Sequence, residues 1–329
     1  MSFRRMVLPA LWLVLAAGCG GKGVAPATST PGNGTFAAEL ASTDLIAGSP
    51  QDLEVGLFRS DPQAGVQLVT FGQIDIQLDY QASATASPRS GPRVVATYLP
   101  APGTAQTGPA PTLSDPGTAR GVYLARGVTF DRAGLWTASI SAEVGSVGSI
   151  GAVLTPFYVA KSHTLPAPGD RVRGKLDVQN HVLGDTSVPP SAIDSRALAG
   201  APIPDPELHR WTIRDAVSQH RPILVVFATP TYCISQFCGP ATDAVSALAA
   251  RYANRAVFIH IEIYRSFDTQ KQRGVINRAA YDWLFRNKDL TEPWLFLIGA
   301  DGVIQHRWGP LFDPAEVAKD LAALPAMKP

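Results

Sequence analysis

Apolar residues recur every second position through the first half of the chain. Leu53, Val55 and Leu57 alternate with polar neighbours, as do Ile74, Ile76 and Leu78 with Asp75, Gln77 and Asp79. Period-two alternation is the mark of a strand with one buried face. Further short strands are expected at residues 36–40, 94–98, 121–124, 135–140 and 153–159, the fourth of these entered through the turn Asp131-Arg132-Ala133-Gly134. Regular short strands without a long helical stretch predict an antiparallel sandwich over residues 35–160. Asp52, Glu54, Asp75 and Asp79 read as its solvated face, and residues 100–117 as a long Pro- and Gly-rich loop.

The pattern changes near residue 206. Ile223, Leu224, Val225, Val226, Phe227 and Ala228 form an unbroken apolar run, as a strand covered on both faces does. Residues 257–261 and 293–298 read the same way, and residues 303–308 as a hairpin partner after the turn at 299–302. Ala244, Val245, Leu248, Ala249 and Tyr252 give a helical stripe. Thr212 with Asp215 suggests the start of a short helix. Residues 277–286 read as a helix, and Asp313-Pro314 opens a last one. Between the halves, residues 161–205 are Pro-rich and aperiodic, a connector in which His163 and His181 stand isolated.

Composition adds bounds. Among 329 residues, 46% are hydrophobic and only 17% charged, with a net charge of +1. That balance supports folded domains and gives no electrostatic drive toward nucleic acid. The three cysteines are too few for a disulfide scaffold or a four-cysteine zinc site, and neither a resident metal nor a cofactor is expected.

The first cysteine ends a distinctive leader. Arg4 and Arg5 precede an apolar stretch at residues 6–17, and Leu15-Ala16-Ala17-Gly18-Cys19 follows. A basic start before a short apolar run is a secretory signal. The five residues resemble the lipobox of bacterial lipoproteins. The resemblance implies a signal peptide at residues 1–18, a lipid on the Cys19 sulfur, and a flexible tether at residues 19–34. The expected location is the cell envelope, outside the cytoplasm and held to a membrane by the lipid.

The other two cysteines lie in Tyr232-Cys233-Ile234-Ser235-Gln236-Phe237-Cys238-Gly239-Pro240, directly after the apolar run. Strand, Cys-bearing loop, helix, strand, helix, hairpin and helix resembles the thioredoxin family over residues 206–329. The interval from Cys238 to Tyr252, Pro293 after Glu292, and Asp301-Gly302 at the hairpin turn fit that resemblance. It implies an α/β thioredoxin-like fold there; Phe130-Asp131-Arg132-Ala133-Gly134-Leu135-Trp136 resembles the turn-then-aromatic strand of extracellular immunoglobulin-like modules, so the chain reads as multidomain, an all-β immunoglobulin-like sandwich followed by the thioredoxin-like fold. By position, Cys233 is carried over as the nucleophile of thiol–disulfide exchange, Cys238 as the resolving thiol, and Pro293 as a cis proline beside them. Tyr232 and Trp294 are candidates for bordering a substrate groove.

The chain departs from the family in three places. The pair is spaced Cys-x4-Cys, two residues longer than usual, which leaves open which sulfur attacks. An alternative register sets Cys238 in the nucleophile's place and Ala241 in the resolver's. Val226 stands where the family has a buried acid, so Glu262 or Glu292 would have to move the proton. A carboxylate at Glu292 would also raise a thiol pKa. The expected function is membrane-anchored thiol–disulfide exchange with protein or small-molecule thiols and disulfides. The alternatives are a lipid-anchored binding protein with a static disulfide, and a copper chaperone using the thiols with His260 or His306.

Overall fold

The computed structural model describes residues 34–327 except 84, 105–107, 118, 146, 234 and 287–288. The expected signal peptide at residues 1–18, Cys19 and residues 20–33 of the expected tether lie outside the described residues.

Nine strands build the first body: β1 (Thr35–Leu40), β2 (Gln51–Asp61), β3 (Gly65–Thr70), β4 (Gln73–Gln81), β5 (Arg89–Pro100), β6 (Thr112–Ser114), β7 (Gly121–Val128), β8 (Gly134–Val144) and β9 (Gly148–Val159). All pair antiparallel in one continuous sheet, in the order β6-β3-β2-β7-β5-β4-β8-β9, with β1 on the other edge of β2. The sheet curls on itself, where a sandwich would have two separate sheets. Parallel bridges from Ile46 to Ala160 and from Ala47 to Phe130 close the curl. The alternating residues line its interior: Leu53, Val55, Leu57, Ile74, Ile76 and Leu78 are buried with Tyr123, Phe130 and Trp136. Trp136 packs edge-on against Phe130 with ring centroids 5.0 Å apart and donates its indole N–H to the Arg132 carbonyl. A long strand crossing the middle of such a curl buries one face on the core, while the other meets whatever packs outside it.

Glu54 shows the consequence of that second contact. Alternation places it on the solvated face, yet it is 4% exposed because residues 309–312 cover that face. Burial, with a smaller push from Asp52, raises its carboxyl to about 8 against the opposing N–H of Leu311. Its Oε2 has no hydrogen-bond partner among the described residues. The unfolded chain releases this proton in the ordinary carboxylate range, and the folded chain holds it to about pH 8. The contribution to stability is therefore complete at pH 4 and is lost as pH rises through 8. Glu54→Gln is expected to melt like the parent at pH 4 and several degrees higher at pH 9. The same offset at both pH values would refute the buried acid.

The second body centres on β10 (Ile223–Ala228). Strand β11 (Val257–Glu262) runs parallel to it. Two short ladders follow: β12 (Tyr264–Asp268) with β13 (Arg273–Ile276), and β14 (Phe285–Arg286) with β15 (Asp289–Leu290). Strand β16 (Trp294–Ile298) lies antiparallel on the other side of β10, and β17 (Ile304–Trp308) pairs with it. The order is β11-β10-β16-β17. Every residue of β10, β11 and β16 is buried, as an apolar run without alternation requires.

The two faces of this sheet are covered by different helices. Leu224, Val226, Leu295 and Leu297 pack against α2 (Cys238–Tyr252) and α4 (Pro314–Ala323). Ile223, Val225, Phe227 and Phe296 pack against α1 (Ile213–Ser218) and α3 (Arg278–Leu284). Thr212 caps α1 by accepting from the Asp215 N–H at 3.0 Å, and Asp313 caps α4 through the Ala315 N–H at 2.8 Å. Each such cap contributes about 1 kcal/mol.

The connector, residues 161–205, lies across the second body. Leu165, Val172 and Val178 belong to the core beneath α1 and α3, and Leu176 accepts the indole N–H of Trp283. The prolines break periodicity, so burial here comes from single apolar residues and leaves no repeating pattern in the sequence. Arg307 of β17 ties the two bodies. It donates to Asp44 Oδ2 at 2.8 Å and to the Pro166 carbonyl at 2.9 Å, and lies 2.6 Å from His163 Nδ1.

Candidate active site

Strand β10 ends at Ala228, and the backbone turns at once. The Thr229 carbonyl accepts from the N–H of Tyr232 and of Cys233. Gln236 takes a left-handed φ of +62°, and α2 begins at Cys238. The longer Cys-x4-Cys loop therefore doubles back and returns Cys233 to the start of the helix. The Cys238 N–H points at Cys233 Sγ at 3.4 Å, and Ser235 Oγ lies 3.2 Å from that sulfur. Both thiols are free.

Their environments differ. Cys233 is half-buried and its thiol is lowered to about 6. The hydrogen bond with the Cys238 thiol is the largest cause; burial opposes it, and Ser235 and the N–H groups of Cys238 and Phe237 add to it. Cys238 is fully buried, and its thiol is raised well above the ordinary value by burial, by its bond to Cys233, and by the charges of Cys233 and Glu292. A helix start stabilises a thiolate, and an apolar wall opposes one.

The Glu292–Pro293 peptide bond is cis, and Pro293 is buried. A Glu292 carboxylate oxygen and the two sulfurs lie within 4.8 Å of one another. Glu292 is raised to about 8 by burial first, then by Cys233 and Glu262, and its buried Oε2 has no partner among the described residues. Two thiols and a carboxylate at that spacing could also hold a thiophilic cation. No group of donor atoms mutually within 4.8 Å joins a histidine to the two sulfurs among the described residues. His306 instead pairs with Asp320 at the surface, and His260 faces Asp194 in the interior.

The other candidates take distinct places. Glu262 is buried and accepts from Ser195 N–H at 2.8 Å and Tyr264 N–H at 3.1 Å; burial raises its pKa. Tyr232 stacks on Phe267 of the β12–β13 hairpin with centroids 4.4 Å apart, and Tyr264 meets Phe267 edge-on. Trp294 lines a cleft between the two bodies whose lining includes neither thiol. It is 4% exposed, donates to Thr291 Oγ1 at 2.9 Å, and lies under the Arg307 guanidinium. Its place as the first residue of a strand covered on both faces turns the ring into the core. A cleft of about 650 Å³ between the two bodies is lined by Asp44, Glu54, Arg126 and Arg307 and includes neither thiol.

Sequence reasoning missed three contributors. Ser195 reaches the thiol loop from residues 161–205, its Oγ accepting from Thr231 N–H at 3.1 Å. The aromatic pair Tyr264 and Phe267 flanks Tyr232; two rings three residues apart beyond a buried strand were the available signal. Asp194 and His209 enter a buried cluster with His260, and no spacing in the sequence announces them.

No family model matches the chain, and no curated protein or solved structure matches it.

Proposed function

We propose that this chain is a membrane-anchored, extracytoplasmic thiol–disulfide oxidoreductase with a thioredoxin-like second domain. The observation that carries the reading is the unequal pair: a half-exposed thiol lowered to about 6 on a helix start, and a buried thiol raised far above it. The strand order β11-β10-β16-β17, with two helices on each face and the Cys233–Cys238 pair at the start of α2 directly after β10, supports the thioredoxin-like assignment. The curled β-body, read as an immunoglobulin-like module, would serve as the support that holds the reactive end away from the membrane.

The chemistry balances as follows. The Cys233 thiolate attacks one sulfur of an incoming disulfide, that S–S bond breaks, and the far sulfur leaves as a thiolate. Cys238 then gives its proton to the Glu292 carboxylate and attacks Cys233 Sγ. The second substrate sulfur leaves and takes a proton. The substrate gains two electrons, and the pair becomes a disulfide. Run in reverse, the same steps oxidise a client dithiol. A partner dithiol or disulfide resets the pair in either direction.

A redox titration of Cys233 and Cys238 tests the reading. A potential above about −300 mV, with exchange against a protein dithiol, is expected of a cycling pair. A lower potential without exchange would establish the static-disulfide alternative instead. Intact mass of protein extracted from membranes should show diacylglyceryl on an N-terminal Cys19; an unmodified or uncleaved terminus would rule out the anchor.

A further inference from the structure

A second cluster lies in the interior of the same body, away from the exchange chemistry. Asp194 comes from residues 161–205, His209 from the single turn Pro206–His209, and His260 from β11. Asp194 and His209 are 0% exposed and His260 1%. Asp194 Oδ2 lies 3.4 Å from His209 Nε2 and 3.3 Å from His260 Nδ1, and the three donor atoms are mutually within 4.8 Å. From these observations we propose that Asp194, His209 and His260 form a structural site for a divalent first-row cation, zinc in the first instance.

Three observations carry it. The first is polar accounting. His209 Nδ1 has no partner among the described residues, and His209 Nε2 and His260 Nδ1 stand within ion-pair range of Asp194 without the alignment of a hydrogen bond. Buried imidazole nitrogens in a folded protein are ordinarily satisfied. The second is the tautomer. His260 Nε2 lies 3.3 Å from the Ala228 carbonyl, which can only accept, so Nε2 carries the hydrogen. In the neutral ring Nδ1 is then a bare lone pair facing a carboxylate oxygen. Two lone pairs so placed repel unless a positive charge lies between them. A ring N–H on a backbone carbonyl, with the other nitrogen free, is also the usual outer support of a ligating histidine. The third is spacing. A tetrahedral ion with bonds of about 2.0–2.1 Å has ligand–ligand edges of about 3.3 Å. The two measured edges have that length.

Arg196 has to be reconciled with a cation here. Its guanidinium binds Asp194 Oδ1 at 3.0 Å and Oδ2 at 2.7 Å, but it also serves Asp205 at 2.7 Å and Asp243 at 3.2 Å. One cation shared among three carboxylates leaves negative charge in excess, which a divalent ion between neutral imidazoles would balance. The oxygen that Arg196 holds keeps a second lone pair for the metal. Imidazole and carboxylate donors without sulfur suit zinc and its neighbours rather than a copper(I) ion. The closed setting fits an ion taken up during folding. Bound there, it would staple residues 161–205 to the central sheet. Ser195, next to Asp194, holds both the thiol loop and Glu262.

The test uses the full chain carrying Cys233→Ser and Cys238→Ser, so that the thiols and Glu292 cannot supply a competing site. Titration with Co²⁺ should give one equivalent, with the visible absorption of Co²⁺ bound to nitrogen and oxygen donors, displaced by Zn²⁺. Asp194→Asn and His260→Ala should each weaken Co²⁺ binding more than about tenfold. Zn²⁺ should raise the melting temperature, and a chelator should lower it. Should a variant fail to fold, the metal content and chelator sensitivity of the parent still decide. Less than a tenth of an equivalent, an unmoved melting temperature, or binding that survives both substitutions would overturn the site and leave a network held by shared protons.

Discussion

Cys233→Ser is expected to remove thiol–disulfide exchange altogether, because Cys238 is both inaccessible and held protonated. A thiol far above its ordinary pKa supplies almost no thiolate at neutral pH, and only the thiolate attacks. Cys238→Ser should behave differently. Cys233 can still attack, so the variant should accumulate a mixed disulfide that gel electrophoresis resolves from free protein. Alkylation of the parent by iodoacetamide should rise through an inflection at about pH 6, the value to which Cys233 is lowered. Loss of the Cys238 hydrogen bond, the largest cause of that lowering, should move the inflection upward in Cys238→Ala, which leaves no donor at that position. Equal residual activity in both serine variants would assign the attack wrongly, and an inflection near the ordinary thiol value would remove the basis for the assignment.

Glu292→Gln is expected to slow resolution of the mixed disulfide by about 10²–10⁴-fold, the usual contribution of a positioned base. In the dithiol form Glu292 is raised to about 8, partly by the Cys233 charge. Once Cys233 is tied in a mixed disulfide that charge is gone. Burial and Glu262 still hold the carboxyl up, but with less opposition a larger share of it ionises beside the thiol whose proton must leave. The base is thus released at the step that needs it. Quenched-flow measurement of resolution should show a rate rising with pH toward a plateau in the parent and no such inflection in Glu292→Gln. Attack by Cys233 on a small disulfide should change far less. A uniform loss in both steps would indicate a structural role only.

The expectations that rested on periodicity and those that needed long-range packing fared differently. Leu53, Val55 and Leu57 alternate, so their burial could be read directly, and the unbroken run at Ile223–Ala228 showed a strand covered on both faces. Glu54 obeys the same alternation and is nevertheless buried, because what covers it is 255 or more residues away in sequence and has no local signature. The thiol pair, Glu292 and Pro293 were legible as chemistry in a recognisable order. Which sulfur is the stronger acid was not, since that depends on how a loop two residues longer folds back over the helix start. Trp294 could be placed on a strand but not on a face, and its neighbours turned it inward. Ser195, Asp194 and His209 were invisible for a simpler reason: they belong to segments without periodicity, and their partners lie at separations from 15 to 67 residues with no recurring interval.

The packing of residues 161–205 also sets where this chain can be divided. A fragment beginning at residue 206 would lose Leu165, Val172 and Val178 from its core, the carbonyl that receives Trp283, and the serine that holds the thiol loop. The smallest piece that could be excised, fused to another protein or exchanged by recombination without exposing that core starts near residue 161. The Pro-rich connector marks the leading edge of the portable unit.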